Sequence, residues 1–256
     1  IAGLAGIVNE TIDRIMLKRM LIDSLGEAET LTQLGIYGAC YKISIIITLF
    51  IQAFRYAAEP FFFSQEKEQN AKEIYAKVMN YFTIVCFAVF LGTMLYLDFI
   101  KHFIRNEEFW KGLGVVPILL LANVCLGIYY NLSIWYKLTG KTQFGAYISV
   151  FGAAVTIIIN YVTIPIYGYM GAAWATFICY ASMVVVSYYF GQKNFSVPYQ
   201  LRNFFLYLAS SLLLYYFSIN ISFDSKIMMY GVNTFLLIVF LMIVFVNEIV
   251  LRRRKW

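Results

Sequence analysis

Five stretches of this chain carry no Asp, Glu, Lys or Arg over a length sufficient to cross a bilayer: residues 78–97, 113–136, 142–192, 203–223 and 227–247. A hydrocarbon core about 30 Å thick takes about 20 helical residues, since an α-helix rises about 1.5 Å per residue. Backbone polar groups in lipid must be satisfied within the segment itself, and a helix does so. The third stretch, residues 142–192, would be about 75 Å long as one helix, so it must hold two spans. The break falls at Pro165-Ile-Tyr-Gly168-Tyr-Met-Gly171, where a proline and two glycines interrupt the apolar run. Six spans result. Composition agrees: 13% of residues are charged and the mean hydropathy is +0.72, against about 25% charged in soluble domains.

A seventh span is residues 36–63, and it is the most informative. Tyr41, Ser44, Thr48, Gln52, Arg55 and Glu59 follow one another at spacings of 3, 4, 4, 3 and 4, which places them on one face of a helix. The remaining faces are apolar apart from Lys42. Polar groups facing lipid are costly, so the stripe is expected to face protein or a water-filled cavity. Arg55 and Glu59 lie one turn apart and can either pair with each other or serve a ligand. Pro60 follows at once; it frees the carbonyl of Tyr56 and marks either a hinge or the end of the helix. The eighth segment, residues 1–21, is apolar at Ile1, Leu4, Ile7, Ile12, Ile15 and Leu21 but carries Glu10, Asp13, Arg14, Lys18 and Arg19. Hydropathy alone leaves it as a span or as an interfacial amphipathic helix.

Lys and Arg in short loops set the orientation. Lys67, Lys72, Lys77, Lys137, Lys141, Lys193, Arg202 and the tail bases Arg252, Arg253, Arg254 and Lys255 fall on one side, against Lys101, Arg105, Lys111 and Lys226 on the other. The bias puts the C-terminus in the cytoplasm and the acidic hairpin at residues 22–35 outside. Aromatic pairs such as Tyr129-Tyr130, Trp135-Tyr136 and Tyr188-Tyr189 sit near span ends, where rings favour the membrane interface. Small residues at Gly145, Ser149, Gly152 and Ala153, and from Gly168 to Thr176, read as close helix packing. The chain begins at Ile1 inside a helix-like pattern, as a piece of a longer protein would, and shows no signal peptide.

Enzyme chemistry finds little support. The single histidine, His102, sits in a charged loop; Cys40, Cys86, Cys125 and Cys179 read as buried free thiols; no metal-ligand spacing or glycine-rich phosphate loop is present. Neither a metal nor a cofactor is expected. Transport fits better. Glu10, Arg14 and Lys18 recur at intervals of four with Asp13 beside them, so residues 1–21 present a second polar stripe. Two such stripes facing each other would line one aqueous path holding Arg14, Lys18 and Arg55, and a cationic path suits an anionic head group such as a diphosphate.

The runs Ile36-Tyr-Gly-Ala-Cys-Tyr-Lys42 and Phe54-Arg-Tyr-Ala-Ala-Glu-Pro-Phe-Phe-Phe63 resemble bacterial polysaccharide and O-antigen flippases of the MATE-like multidrug/oligosaccharidyl-lipid/polysaccharide exporter superfamily. Asn160-Tyr-Val-Thr-Ile-Pro165-Ile-Tyr-Gly168-Tyr-Met-Gly171-Ala-Ala-Trp-Ala-Thr176 is similar to the signature of that superfamily's later spans. The resemblance implies an all-α polytopic membrane protein in which about eight transmembrane helices form the C-terminal lobe, plus two extra helices, of a MATE-like transporter fold. Residues 1–192 would be the six-helix lobe, and residues 193–256 two additional helices with a basic cytoplasmic tail. It turns residues 1–21 into a true span and leaves the N-terminal lobe as a missing partner.

The activity so implied is the flipping of undecaprenyl-diphosphate-linked oligosaccharide from the cytoplasmic to the periplasmic leaflet of the bacterial inner membrane, for lipopolysaccharide or other surface polysaccharide. A coupling ion, Na+ or H+, is often involved, and no nucleic acid is. Arg14, Lys18, Arg55, Glu59, Gln52, Thr48 and Ser44 would line the substrate cavity, with Glu10, Asp13 and Lys42 as further cavity charge and Pro60 and Pro165 as hinges. The alternatives are a cation-coupled multidrug antiporter of the same fold, which calls for a carboxylate-dominated cavity, and a membrane glycosyl- or acyltransferase acting on the same lipids, which calls for catalytic acids or a histidine in a periplasmic loop.

Overall fold

A computed structural model describes residues 2–221 and 225–250, with side chains from Thr11 to Ile221 and from Ser225 to Ile249. No strand occurs among the described residues. The helices are α1 (Ala2–Leu25), α2 (Glu27–Ser64), α3 (Ala71–Leu95), the short α4 (Leu97–Ile100), α5 (Val116–Leu132), α6 (Ile134–Leu138), α7 (Gln143–Tyr167), α8 (Tyr169–Asn194), α9 (Leu201–Asn220) and α10 (Lys226–Phe245). A 3-10 segment, Glu107–Val115, leads into α5, and a π-helical turn, Val246–Val250, follows α10.

Among the described residues, six helical segments are long and apolar enough to cross a membrane: Glu27–Ser64, Ala71–Leu95, Glu107–Leu138, Gln143–Tyr167, Tyr169–Asn194 and Lys226–Ile249. The other two expected spans, α1 and α9, are helices of 24 and 20 residues. They fall outside that set because α1 carries the charges from Asp13 to Arg19, and α9 dilutes its leucines with Asn203, Tyr207, Tyr215, Tyr216 and Asn220.

One feature differs from the sequence reading. The acidic hairpin expected over residues 22–35 is a single glycine: α1 runs to Leu25, Gly26 turns the chain at φ 78, and α2 begins at Glu27. Glycine takes that left-handed geometry without a Cβ penalty, and Glu27 and Glu29 in the first turn complement the positive end of the helix. So α2 is 38 residues, about 57 Å long. Pro60, for which the sequence leaves both a hinge and a helix end open, lies inside α2, four residues before its last turn closes at Ser64.

The break between α7 and α8 is where the sequence places it. Pro165 lies inside α7, and the turn itself is Gly168 at φ 54 and ψ −133, a conformation reserved for glycine. Three residues on, Gly171 lies so close to α7 that a Cβ there would be 2.5 Å from the carbonyl oxygen of Thr163. The signature from Asn160 to Thr176 is thus a close-packed hairpin.

The helices gather into two compact units. The first is Ile1–Tyr75 with Phe103–Pro198, and the second Ala76–His102 with Tyr199–Trp256. In the first, α8 packs against both α5 and α7, α1 packs on α7, and α2 lies along α5. Its apolar core includes Ala122, Tyr129, Ile148, Cys179, Tyr180 and Met183. In the second, α9 packs on α10, and their buried residues are largely polar: Tyr207, Ser211 and Asn233, with Phe240. Glu248 in the π-helical turn accepts hydrogen bonds from Asn80 (2.8 Å), Asn203 (3.1 Å) and Tyr207 (2.7 Å). Apolar outside and polar within is the arrangement lipid favours. The four cysteines are free thiols, three of them buried, and His102 is exposed.

Candidate functional site

The stripe on α2 does face protein, and it meets two different walls. At its Tyr41 end it meets α1. The carboxylate of Asp13, 2% exposed, accepts a hydrogen bond from the Tyr37 hydroxyl at 2.5 Å and one from the backbone N–H of Arg14 at 2.7 Å. The guanidinium of Arg14 lies over the ring of Tyr41, 4.4 Å from its centroid. A cation over a ring face is stabilised by the ring quadrupole, more so where water is excluded.

In the middle of the stripe, Ser44 is fully buried and Thr48 and Gln52 are half-buried. The Ser44 and Thr48 hydroxyls bond back to the carbonyls of Tyr41 and Ser44, and Asn123 of α5 reaches the Ser44 carbonyl at 3.5 Å. These bonds satisfy the polar groups inside the helix pair.

At its Glu59 end the stripe borders an open cleft between α2 and the α5–α6 wall. Arg55, Ala58 and Glu59 form one side; Gly127, Asn131 and Lys137 form the other. Ala58 and Gly127 matter because they lack the bulk to fill the space. Here Arg55 and Glu59, for which mutual pairing is one of two readings open from the sequence, take separate partners. Glu59 accepts an ion-paired hydrogen bond at 2.8 Å from Lys137, on α6. Arg55 turns to rings, its guanidinium lying 4.8 Å from the centroid of Tyr130 and 5.7 Å from that of Tyr56. Among the described residues no carboxylate lies within ion-pair distance of Arg55. The reason is geometric: Lys137 reaches across from the facing wall, while Tyr130 offers Arg55 an apolar cationic seat.

The single continuous path expected from the two stripes is therefore two clusters. Tyr41, beside Arg14, and Arg55 are 14 residues apart on one helix, about 21 Å along its axis. Lys18, Lys42 and Pro60 lie exposed on the first unit. The side chain of Glu10 is outside the described residues. Among the described residues there is no His/Cys/Asp/Glu group of metal-binding type.

Sequence reasoning missed Tyr37, Asn131 and Lys137. Lys137 was counted only as a loop base for topology. Asn123, Gly127 and Asn131 recur at intervals of four in a charge-free span, which was the available sign that this face of α5 meets something polar.

No family model matches the sequence. No curated protein matches it either. The fold, in contrast, is similar to that of a solved structure of the lipid II flippase MurJ in an inward closed conformation, with a TM-score of 0.62 at 13% sequence identity, covering 96% of this chain and 53% of that one. The chain thus spans about half the length of the protein it matches. At so low an identity the likeness is one of fold, and on that ground the chain is an all-α polytopic membrane protein with a MurJ-like fold.

Proposed function

We propose that this chain is the C-terminal lobe, with two additional helices, of a flippase for lipid-linked oligosaccharides, and that the Arg55 cleft receives the diphosphate head group on the cytoplasmic side. The observation that carries the reading is Arg55 itself. A guanidinium in a membrane helix is costly, by about 2.5–3.5 kcal/mol at mid-bilayer on the lenient scale, so it is kept where it pairs or binds something. This one pairs with no carboxylate among the described residues; it is seated on Tyr130 in an open cleft beside Lys137. A guanidinium offers several N–H groups in a fixed fork that matches phosphate oxygens. The bias of the loop bases supports a cytoplasmic position for this end of α2, where the lipid-linked substrate would be loaded, and likeness to a solved flippase supports the class.

In this reading the other lobe supplies the facing wall, the inner membrane of a bacterium is the site of action, and surface polysaccharide such as O-antigen is the product. A coupling proton or sodium ion would find its carboxylate at Asp13, buried deep in the first unit and held by Tyr37. The test is export. In the intact protein, Arg55→Ala and Arg14→Ala are expected to abolish surface glycan while membrane abundance stays normal. Normal export by both variants at normal abundance would overturn the reading.

A further inference from the structure

The cleft contains two groups whose bonding is unexplained by the fold. Asn131 is 4% exposed and donates from Nδ2 to the Gly127 carbonyl at 3.4 Å, yet its Oδ1 is buried without a hydrogen-bond partner. A buried amide oxygen left unsatisfied is destabilising, and native structures keep few of them. Glu59, an acid on the wall of a cationic cleft, is held by Lys137 through a pair whose side chains are 28% and 40% exposed. Pairs that exposed contribute little to stability. Glu59 and Arg55 are one turn apart on α2, and both line the cleft together with Lys137.

We propose that the carboxylate of Glu59 holds the place of a ligand's phosphate group at Lys137, and that the cleft takes a phosphate bearing a neighbouring hydroxyl, with Arg55 and Lys137 on the phosphate and Asn131 Oδ1 accepting from the hydroxyl. The ligand class is a sugar phosphate. The inference rests on the reading of the cleft as a head-group site and adds its competitor and its sugar-side contact. A phosphate displaces Glu59 readily because a doubly charged group outbids a carboxylate for two cations, while the pair it breaks is weak. Displacement opens the α2–α6 side of the cleft and gives Asn131 its missing donor. Glu59 is then a brake on affinity, and the site releases what it binds.

The test is titration calorimetry of the intact protein in detergent, with inorganic pyrophosphate, methyl phosphate and glucose 1-phosphate as probes. Glu59→Gln removes the competing charge without changing shape, and is expected to bind pyrophosphate about five-fold more tightly. Lys137→Met is expected to weaken it. A merely structural ion pair would give weaker or unchanged binding in Glu59→Gln, and that result overturns the place-holding role. The wild type is expected to bind glucose 1-phosphate several-fold more tightly than methyl phosphate, and Asn131→Leu to erase that difference. Equal affinity for the two phosphates in the wild type overturns the hydroxyl contact, with no variant needed. If the probes behave as expected but Arg55→Ala cells keep their surface glycan, the anion site stands and the flippase reading fails.

Discussion

Replacing Gly171 with alanine adds a single methyl group where the structure has no room for one. The new Cβ would lie 2.5 Å from the carbonyl oxygen and 2.6 Å from the carbonyl carbon of Thr163, both backbone atoms that no side-chain rotation can move. Ordinary contact begins near 3.4 Å, so α7 and α8 must part by about 0.9 Å at their joint. Overpacking of that kind costs about 1–3 kcal/mol. Separation also stretches the bond from the Thr163 hydroxyl to the Gly171 carbonyl, 3.1 Å long, worth about 1 kcal/mol. Alanine's better helix propensity returns up to about 1 kcal/mol. The net loss is about 1–3 kcal/mol, which for a chain this size lowers the melting temperature by about 2–4 °C per kcal/mol. The assay is thermal unfolding of the purified protein in one detergent, with Gly38→Ala as control. Gly38 is also inside a helix of the first unit, but nothing lies within 4 Å of its added Cβ, so that variant should melt at or above the wild type. Equal melting of Gly171→Ala and the wild type would refute the close-packed reading of this motif.

Further predictions concern the polar clusters. Tyr37→Phe removes the one side-chain donor observed on the buried Asp13 carboxylate and should cost about 1.5–3 kcal/mol; in the Asp13→Asn background the same change should cost clearly less, as a double-mutant cycle in thermal unfolding would show. At the opposite end of the chain's chemistry, the carboxyl of Asp98, in the short α4 outside the spans, is held below its usual 3.8, chiefly by the hydrogen bond from Lys101. A depressed carboxyl contributes stability above its unfolded value and loses it as pH falls through the folded one. Asp98→Asn should therefore melt slightly lower than the wild type at neutral pH, with the gap closing below about pH 3.8; a gap that persists there would contradict the assignment. The contribution is small because the pair is partly exposed.

Much of the helix plan was legible because lipid makes it so: charge-free runs, the Pro165–Gly171 break and the small residues of α7 and α8 each follow from burial in an apolar solvent. The stripe on α2 was legible too, since a period near 3.6 assigns a face without any knowledge of neighbours. What that face meets was not. Glu59 pairs with Lys137, 78 positions away, and no local pattern distinguishes that partner from Arg55 one turn back. Gly26 looked like part of an acidic hairpin because its positive φ, invisible in composition, is what lets α1 and α2 join directly. Asn131 was passed over because a lone amide in an apolar span acquires meaning only when its oxygen proves unsatisfied.

Arg55 carries the proposed head-group contact. The most direct measurement is translocation of a fluorescent undecaprenyl-diphosphate-linked oligosaccharide by the intact protein reconstituted in liposomes, wild type beside Arg55→Ala and Arg55→Lys. Loss of the fork should slow translocation at least ten-fold in the alanine variant, with partial recovery in lysine, which keeps the charge but not the bidentate geometry. Translocation by Arg55→Ala at the wild-type rate would contradict the assignment of this cleft to the head group.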